Sequence, residues 1–351
     1  MSTRPSLSPL MSPPLAPTYQ HLLALSDDIG LFEHALFDTP RVEHGYCVDD
    51  VARALIVGAR EPNPTDGLRE ATMTYLNFVD EAVTDEGRAH NRRNVQGVWT
   101  DQPTVCDWWG RAIWASGIAA TFMSEKGHRE QAKATALRAI KQSSPHVRAN
   151  VFATIGVSEI LLKNPEDETC RHFLVRALAK IPRDPSREWD WPEAQLRYAN
   201  GSYVDAIIAA GNALDDAALM DRGLELLTFL LAQEMGDKHF SVTGVDGSGP
   251  FSPRPQFDQQ PIEVAALADA CARAFGLTGD SQWLDSLAMA WAWFEGHNDS
   301  QVRLYDHPSG AGFDGLERDG RNENRGAEST LAALSTLQHM TRLQSAVRDR
   351  S

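Results

Sequence analysis

The sequence predicts an all-α fold in which six helical hairpins close into a ring of two layers, an (α/α)6 toroid. Three observations carry this expectation. Past Pro17, amphipathic helical stretches alternate with loops, and strand-like alternation is scarce. The connections are uneven, alternately long and short. Helices 2, 4, 8, 10 and 12 are also the apolar ones rich in small residues, as an inner ring requires.

In order, the first helix is expected over Tyr19–Phe37 and the second over Val48–Arg60, whose ALIVGA run suits burial. The third covers Leu68–Val83, the fourth Asp107–Ser124 and the fifth Arg129–Gln142, after a short Lys126-Gly127-His128 link. The sixth covers Val147–Leu162, and Asn164-Pro165 offers turn chemistry before the seventh, Glu166–Ile181. The eighth, Tyr198–Leu214, carries AIIAAG, and the ninth is Ala217–Glu234. The tenth, Pro261–Phe275, contains EVAALADACA. The eleventh, Ser281–Glu295, has Asp280 as a cap and Gly296 as a stop. The twelfth, Ala327–Thr341, holds STLAALSTL.

Links after helices 1, 3, 7, 9 and 11 are rich in Gly, Pro, Trp, Tyr, Asp and His. Those after the other helices are mostly short, as in Thr278-Gly279-Asp280. Stacked hairpins put alternate connections at opposite ends, so one end is plain and the other carries the elaborate loops that lead into the even helices. A helical solenoid is the competing architecture, but the chain shows no fixed-period repeat. The expected organisation is a disordered tail over 1–17, one barrel domain over 18–343 and a C-terminal tail over 344–351.

The bulk numbers exclude several functions. With 33 Lys and Arg against 48 Asp and Glu, the formal charge is −15. That disfavours nucleic acid, anionic membrane surfaces and polyanionic substrates, and favours a neutral one. Cys47, Cys106, Cys170 and Cys271 are far apart without C-x-x-C spacing, as expected of reduced thiols in a cytoplasmic protein. No apolar run approaches the roughly 18 residues of a membrane span. The Pro- and Ser-rich N-terminus lacks the apolar core of a secretion signal. A cytoplasmic location is expected.

Chemistry-bearing residues gather in the segments entering the even helices. They are His44-Gly45-Tyr46-Cys47-Val48-Asp49-Asp50, then Asp107-Trp108-Trp109-Gly110-Arg111, then Trp189-Asp190-Trp191-Pro192-Glu193 running on to Tyr198, Asn200 and Tyr203. Phe257-Asp258-Gln259-Gln260-Pro261-Ile262-Glu263 follows, and then Asn322 to Ser329 with Asn324, Arg325 and Glu328. Aromatic faces stack on the C–H faces of sugar rings, while amides and carboxylates take the hydroxyls. Two carboxyl groups can cleave a glycosidic bond, and converging carboxylates raise one another's pKa, as a general acid requires. A nucleophile elbow, a phosphate loop and H-E-x-x-H are absent.

Plainer roles exist for each residue. Asp49, Asp107, Asp258 and Glu328 sit at helix starts, where caps and the macrodipole favour acids. Adjacent helical residues point about 100° apart, so one of Asp49 and Asp50 is expected in the cleft, with Asp49 capping and Asp50 free for chemistry. The tryptophans can be core anchors. His44, His90 and His146 lack the close spacing of a metal site, and no metal or cofactor is expected.

At these residues the chain resembles a bacterial group of (α/α)6-barrel proteins described as glycosidase-like or glycosyltransferase-associated. A "GIFQHA" element corresponds to Gly30 through Ala35, and "HGYCxDDNARAL" to His44 through Leu55, with Val51 in place of Asn. "WFEDxLxYDN" corresponds to Trp191 through Asn200, and "DGL…NxNxGAESTLA" to Asp314–Leu316 and Asn322–Ala332. Ala194 and Ala199 stand where members often carry acids. The resemblance implies carbohydrate-active chemistry on an oligosaccharide or glycoside, and the net charge favours a neutral one. Hydrolysis by Asp50 and Glu193 as the acid/base pair is the leading expectation, inverting by fold analogy. Asp107, Asp258 and Glu328 are alternates, with His44, Tyr46, Asp49, Trp108, Trp191, Tyr198, Asn200, Gln259, Glu263, Asn324 and Arg325 as further sugar-binding groups. A sugar isomerase or epimerase using His44, His90 or His146, and a non-catalytic sugar-binding domain serving a glycosyltransferase, are the competing readings.

Overall fold

The computed structural model describes residues 16–187 and 189–348; most of the expected N-terminal tail, and the last three residues of the C-terminal one, lie outside them. The inner ring consists of α2 (Val48–Arg60), α4 (Asp107–Phe122), α6 (Val147–Lys163), α8 (Asn200–Leu214), α10 (Pro261–Thr278) and α12 (Ala327–Arg348). Each packs against the next, and α12 closes the ring onto α2. Outside them lie α1 (Gln20–Ala24), α3 (Asp66–Ala82), α5 (Lys126–Ala139), α7 (Glu168–Leu178), α9 (Ala217–Gln233) and α11 (Ser281–Phe294). The toroid expected from the sequence is the fold.

The two rings differ for a reason visible in the side chains. In α4 every residue from Trp109 to Ala119 is buried, and in α8 every residue from Asn200 to Gly211. A helix buried all round belongs inside. The outer α3 instead buries one stripe, Leu68, Ala71, Thr72, Tyr75, Leu76, Phe78, Val79 and Ala82, and leaves the rest to solvent. Small residues let the inner helices approach closely. A Cβ added at Gly117 of α4 would stand 2.1 Å from the Gly156 carbonyl oxygen of α6.

Several boundaries moved. The first helix is one turn, not nineteen residues, because the Asp27 carboxylate accepts the N–H groups of Ile29 (2.9 Å) and Gly30 (3.0 Å) and bends the chain. Beyond it β1 (Ala35–Leu36) and β2 (Thr39–Pro40) form a hairpin. Lys126, Gly127 and His128, expected as a link, are the first turn of α5. Asn164 makes the expected turn, its carbonyl accepting the Asp167 N–H at 3.0 Å, and the side chain of Asp167 then caps α7, which starts at Glu168 rather than Glu166. Helix α8 starts at Asn200, because Ala199 before it adopts a left-handed conformation, φ 53°. Helix α12 runs on to Arg348, through part of the expected C-terminal tail.

The short ribbons all lie in links that enter even helices: β1–β2, β3 (Tyr46–Cys47) with β4 (Arg92–Arg93), β5 (Tyr305–Asp306) with β6 (Ala311–Gly312), and β7 (Gly315–Glu317) with β8 (Gly320–Asn322). They stiffen the elaborate end of the ring. No helix among the described residues is long and apolar enough to cross a membrane.

Candidate active site

At that end the first turns of five inner helices surround a cleft of about 860 Å³. Helix α2 contributes Asp49, Asp50 and Arg53; α4 contributes Asp107, Trp108 and Arg111; α10 contributes Ile262 and Glu263; and α12 contributes Glu328. Ala199, at the start of α8, joins the floor. Loop residues complete the wall: Glu33, Cys47, Asn91, Gln195, Arg197, Tyr198, Gln260 and the run Thr243–Gly247. The volume is in the range of small-molecule sites. Positive helix N-termini pointing at one space favour the carboxylates gathered there.

Asp50 is the deepest of these acids, with 3% of its surface exposed. Its Oδ1 accepts from Arg53 Nη1 at 2.5 Å and its Oδ2 from the Cys47 thiol at 3.2 Å. Burial pushes its pKa up to about 7 against the pull of Arg53, with the charges of Glu328 and Glu33 adding to the rise. The other end of the Arg53 guanidinium holds Glu328 Oε2 at 2.7 Å, so one cation bridges the two acids. Arg111 lies over the Phe152 ring at 4.0 Å and reaches Asp49 Oδ1 at 3.0 Å. Burial first, and then the charge of Arg53, lowers its pKa to about 10, which leaves it a cation at neutral pH. Burial also raises the Asp107 carboxyl.

Glu263 is bound to its surroundings differently. Its carboxylate accepts the backbone N–H groups of Ala199 (2.5 Å) and Asn200 (3.3 Å) and the Asn200 side-chain amide (3.4 Å). It therefore satisfies the start of α8 from the neighbouring helix. Burial nevertheless raises its pKa to about 7.

Glu33, Cys47 and Asp50 bring potential metal-ligand atoms within 4.8 Å of one another. Each carboxylate already has an arginine, Arg92 for Glu33 and Arg53 for Asp50. Burial holds the Cys47 thiol well above its ordinary pKa, so it donates to Asp50 rather than offering a thiolate. The cluster is satisfied by its own partners.

Of the residues expected from the sequence, the cleft gathers Asp49, Asp50, Asp107, Trp108, Tyr198, Glu263 and Glu328. Asp49 and Asp50 both line it, although one alone was expected; the mouth is wide enough to take both edges of the first turn of α2. Asp49 pairs with Arg111 and does not cap its helix.

The others are elsewhere. Glu193 is clamped by both arms of Arg148, at 3.1 and 2.7 Å, and is not part of the cleft wall. Tyr46 is buried, stacked on Phe32 with its hydroxyl donated to Asp27. Trp191 is buried against Tyr203 and Phe229. Asn200 is buried, and its side-chain oxygen accepts the Arg197 N–H. Gln259 is fully buried, donating to Asp299 at 2.6 Å and accepting from Trp293. Asp258 is exposed on the loop before α10. Asn324 accepts the Phe37 N–H, and Arg325 lies over the Phe313 ring at 4.7 Å. His44 sits beside Glu43 and edge-on to His34.

Sequence reasoning missed Glu33, Asn91, Arg53, Gln195, Arg197 and the Thr243–Gly247 run. Arg53 carried a signal: it lies one helical turn after Asp50 and Asp49, on their face. Glu33 and the 243–247 run carried none, because loop conformation alone brings them to the wall.

No protein-family model and no curated sequence matches the chain. Solved structures do. A cellobiose 2-epimerase from Spirochaeta thermophila DSM 6192 aligns with a TM-score of 0.65 at 13% identity, covering 96% of this chain and 97% of that one. The fold is that of an (α/α)6 barrel. A sugar epimerase from a ruminal bacterium aligns with a TM-score of 0.71 at 11% identity, covering 96% and 98%. A GH76 α-mannanase from Bacteroides thetaiotaomicron aligns with a TM-score of 0.58 at 10% identity, covering 87% and 88%. At these identities the likeness establishes the architecture.

Proposed function

We propose that this (α/α)6 barrel is a carbohydrate-active enzyme, and that it hydrolyses a neutral oligosaccharide or glycoside at the acidic cleft. One observation carries the reading. Seven carboxylic acids and three arginines line the cleft with Trp108 and Tyr198, and none of the lining residues is a histidine. A buried acid whose pKa is pushed up to about 7 is protonated in a substantial fraction of molecules at neutral pH, and in that form it can give the proton to a leaving oxygen.

Asp50 is the general acid. The second role passes from Glu193, which Arg148 occupies, to Glu328, whose side chain is 41% exposed and can reach an attacking water. Arg53, paired with both acids, keeps them at fixed positions. Trp108 and Tyr198 are the aromatic side chains of the cleft wall available to a sugar, and the Arg148 guanidinium lies over the Tyr198 ring at 5.6 Å. Inversion is the expected outcome, with a water between sugar and base. The test is a screen of aryl glycosides and neutral oligosaccharides for new reducing ends. Asp50→Asn and Glu328→Gln should each lower turnover by roughly 10²–10⁴, and Glu193→Gln should keep it. Full activity in Asp50→Asn would end the assignment.

Epimerisation or isomerisation is the second reading, favoured by the two epimerases among the fold neighbours. It calls for a base near the sugar carbonyl. His90, bonded to the Asp101 carbonyl and stacked on Trp99, lies outside the cleft wall, as do His44 and His146. Ala199 on the floor, where an acid is usual in the resembling group, is the observation that favours a sugar-binding domain without turnover. Binding of oligosaccharides with neither new reducing ends nor a changed sugar would select it.

A further inference from the structure

Beside the cleft a surface loop holds apolar groups out in water. Val245 and Tyr198, both in the cleft wall, are 61% and 43% exposed. The two segments are tied together by paired backbone bonds of 2.8 Å between Leu196 and Ser248. Directly after Ser248 the chain makes a tight turn, Gly249-Pro250-Phe251-Ser252, closed by the Ser252 N–H on the Gly249 carbonyl at 3.1 Å. The Ser252 hydroxyl accepts the Gly249 N–H at 2.8 Å, which locks the turn from its other side. Pro250 fixes the backbone of the turn's second position. At its third position Phe251 is 90% exposed.

An aromatic ring presented on a rigid turn with nearly all of its surface in water is not packing, since it buries almost nothing. Its turn starts directly after Ser248, whose backbone partner Leu196 lies two residues before Tyr198 of the cleft wall, and four residues after Val245 of the same wall. We infer that Phe251 and Tyr198 form an outer sugar-binding subsite, which takes the rings of an oligosaccharide that extend beyond the cleft. The inference rests on the reading of the cleft as a sugar site and specifies its substrate class: a chain of several rings rather than a simple glycoside. The chemistry matches. The C–H faces of neutral pyranose rings stack on aromatic faces, and a turn held by Pro250 and Ser252 loses little freedom when they do.

The test measures binding to an array of neutral cello- and manno-oligosaccharides of one to six rings, in the Asp50→Asn background so that no ligand is consumed. The protein with Phe251 intact should bind more tightly as rings are added. Phe251→Ala should lose that length-dependent gain, about ten-fold on the longest ligands, and keep its affinity for the shortest. Phe251→Trp should restore it. Unchanged length dependence in Phe251→Ala overturns the subsite and leaves the sugar reading standing. No binding to any of these ligands by the protein with Phe251 intact overturns both.

Discussion

Asp50 gathers the chemistry of the cleft at the scale of one residue. Its carboxyl is caught between burial, which favours the proton, and Arg53, which opposes it. A proton held until about pH 7 predicts that kcat/KM falls as the pH rises through neutrality, because the general acid is then lost. A pH–rate profile of the unmodified protein checks this. Glu193 makes the opposite case. Glu193→Gln should cost stability rather than turnover, about 3–5 kcal/mol at most, since it leaves the buried Arg148 guanidinium hydrogen-bonded to neutral partners alone. Thermal unfolding beside kcat separates the two effects.

Glu263 adds a pH dependence of its own. Its pKa is about 7 in the folded chain and about 4.3 in an unfolded one. Between those values the folded state binds the extra proton, so this group's contribution to stability is full below about pH 4 and is lost as the pH rises through about 7. Glu263→Gln should flatten that part of the stability profile in urea titrations across this window. An unaltered slope would show that the three donors around the carboxylate hold it charged throughout.

Among the elements, the inner helices depend on small residues at their crossings. Gly117→Ala should destabilise by about 2–4 kcal/mol, because its Cβ meets backbone of α6 that no side-chain rotation can clear. Ala199→Gly should instead stabilise by up to about 1 kcal/mol, as glycine adopts φ 53° without the steric cost borne by alanine. Denaturant midpoints measure both.

Elements of this kind were legible to different degrees. ALIVGA and AIIAAG mark inner helices because complete burial forces small and apolar residues onto every face. The first helix was misread, since the apolar spacing of Leu22, Leu25 and Leu31 continues past the point where Asp27 turns the chain. A side-chain cap of that sort competes locally with the helix and leaves no trace in periodicity. Among the site residues, acids in first turns were found because each even helix starts at the mouth. Trp191 and Tyr46 were misplaced because aromatic content cannot tell a stacking platform from a core anchor. Arg148, which removes Glu193 from the cleft, lies 45 residues before it, and nothing in the sequence connects the two.

For the whole molecule, the two ends of the ring divide the work. The plain end is held by buried ion pairs, Arg60 with Asp269 at 2.9 Å and Arg273 with Asp205 and Glu159, and by a hydrogen bond of 2.6 Å between His339 and Asp269. These link helices that are distant in sequence, so they fix how the ring closes. The opposite end carries the acids, the arginines between them and the exposed aromatic turn. A net charge of −15 is thus partly a property of the cleft, in keeping with a substrate that carries no charge.

The central claim is that Asp50, at the mouth of the barrel, protonates the leaving oxygen of a neutral sugar. The most direct measurement compares the protein with its Asp50→Asn variant on the first glycoside or oligosaccharide found to release reducing ends, recording kcat and KM for each. The account predicts a loss of roughly 10²–10⁴ in kcat with KM little changed. Equal kcat in the two proteins would contradict it.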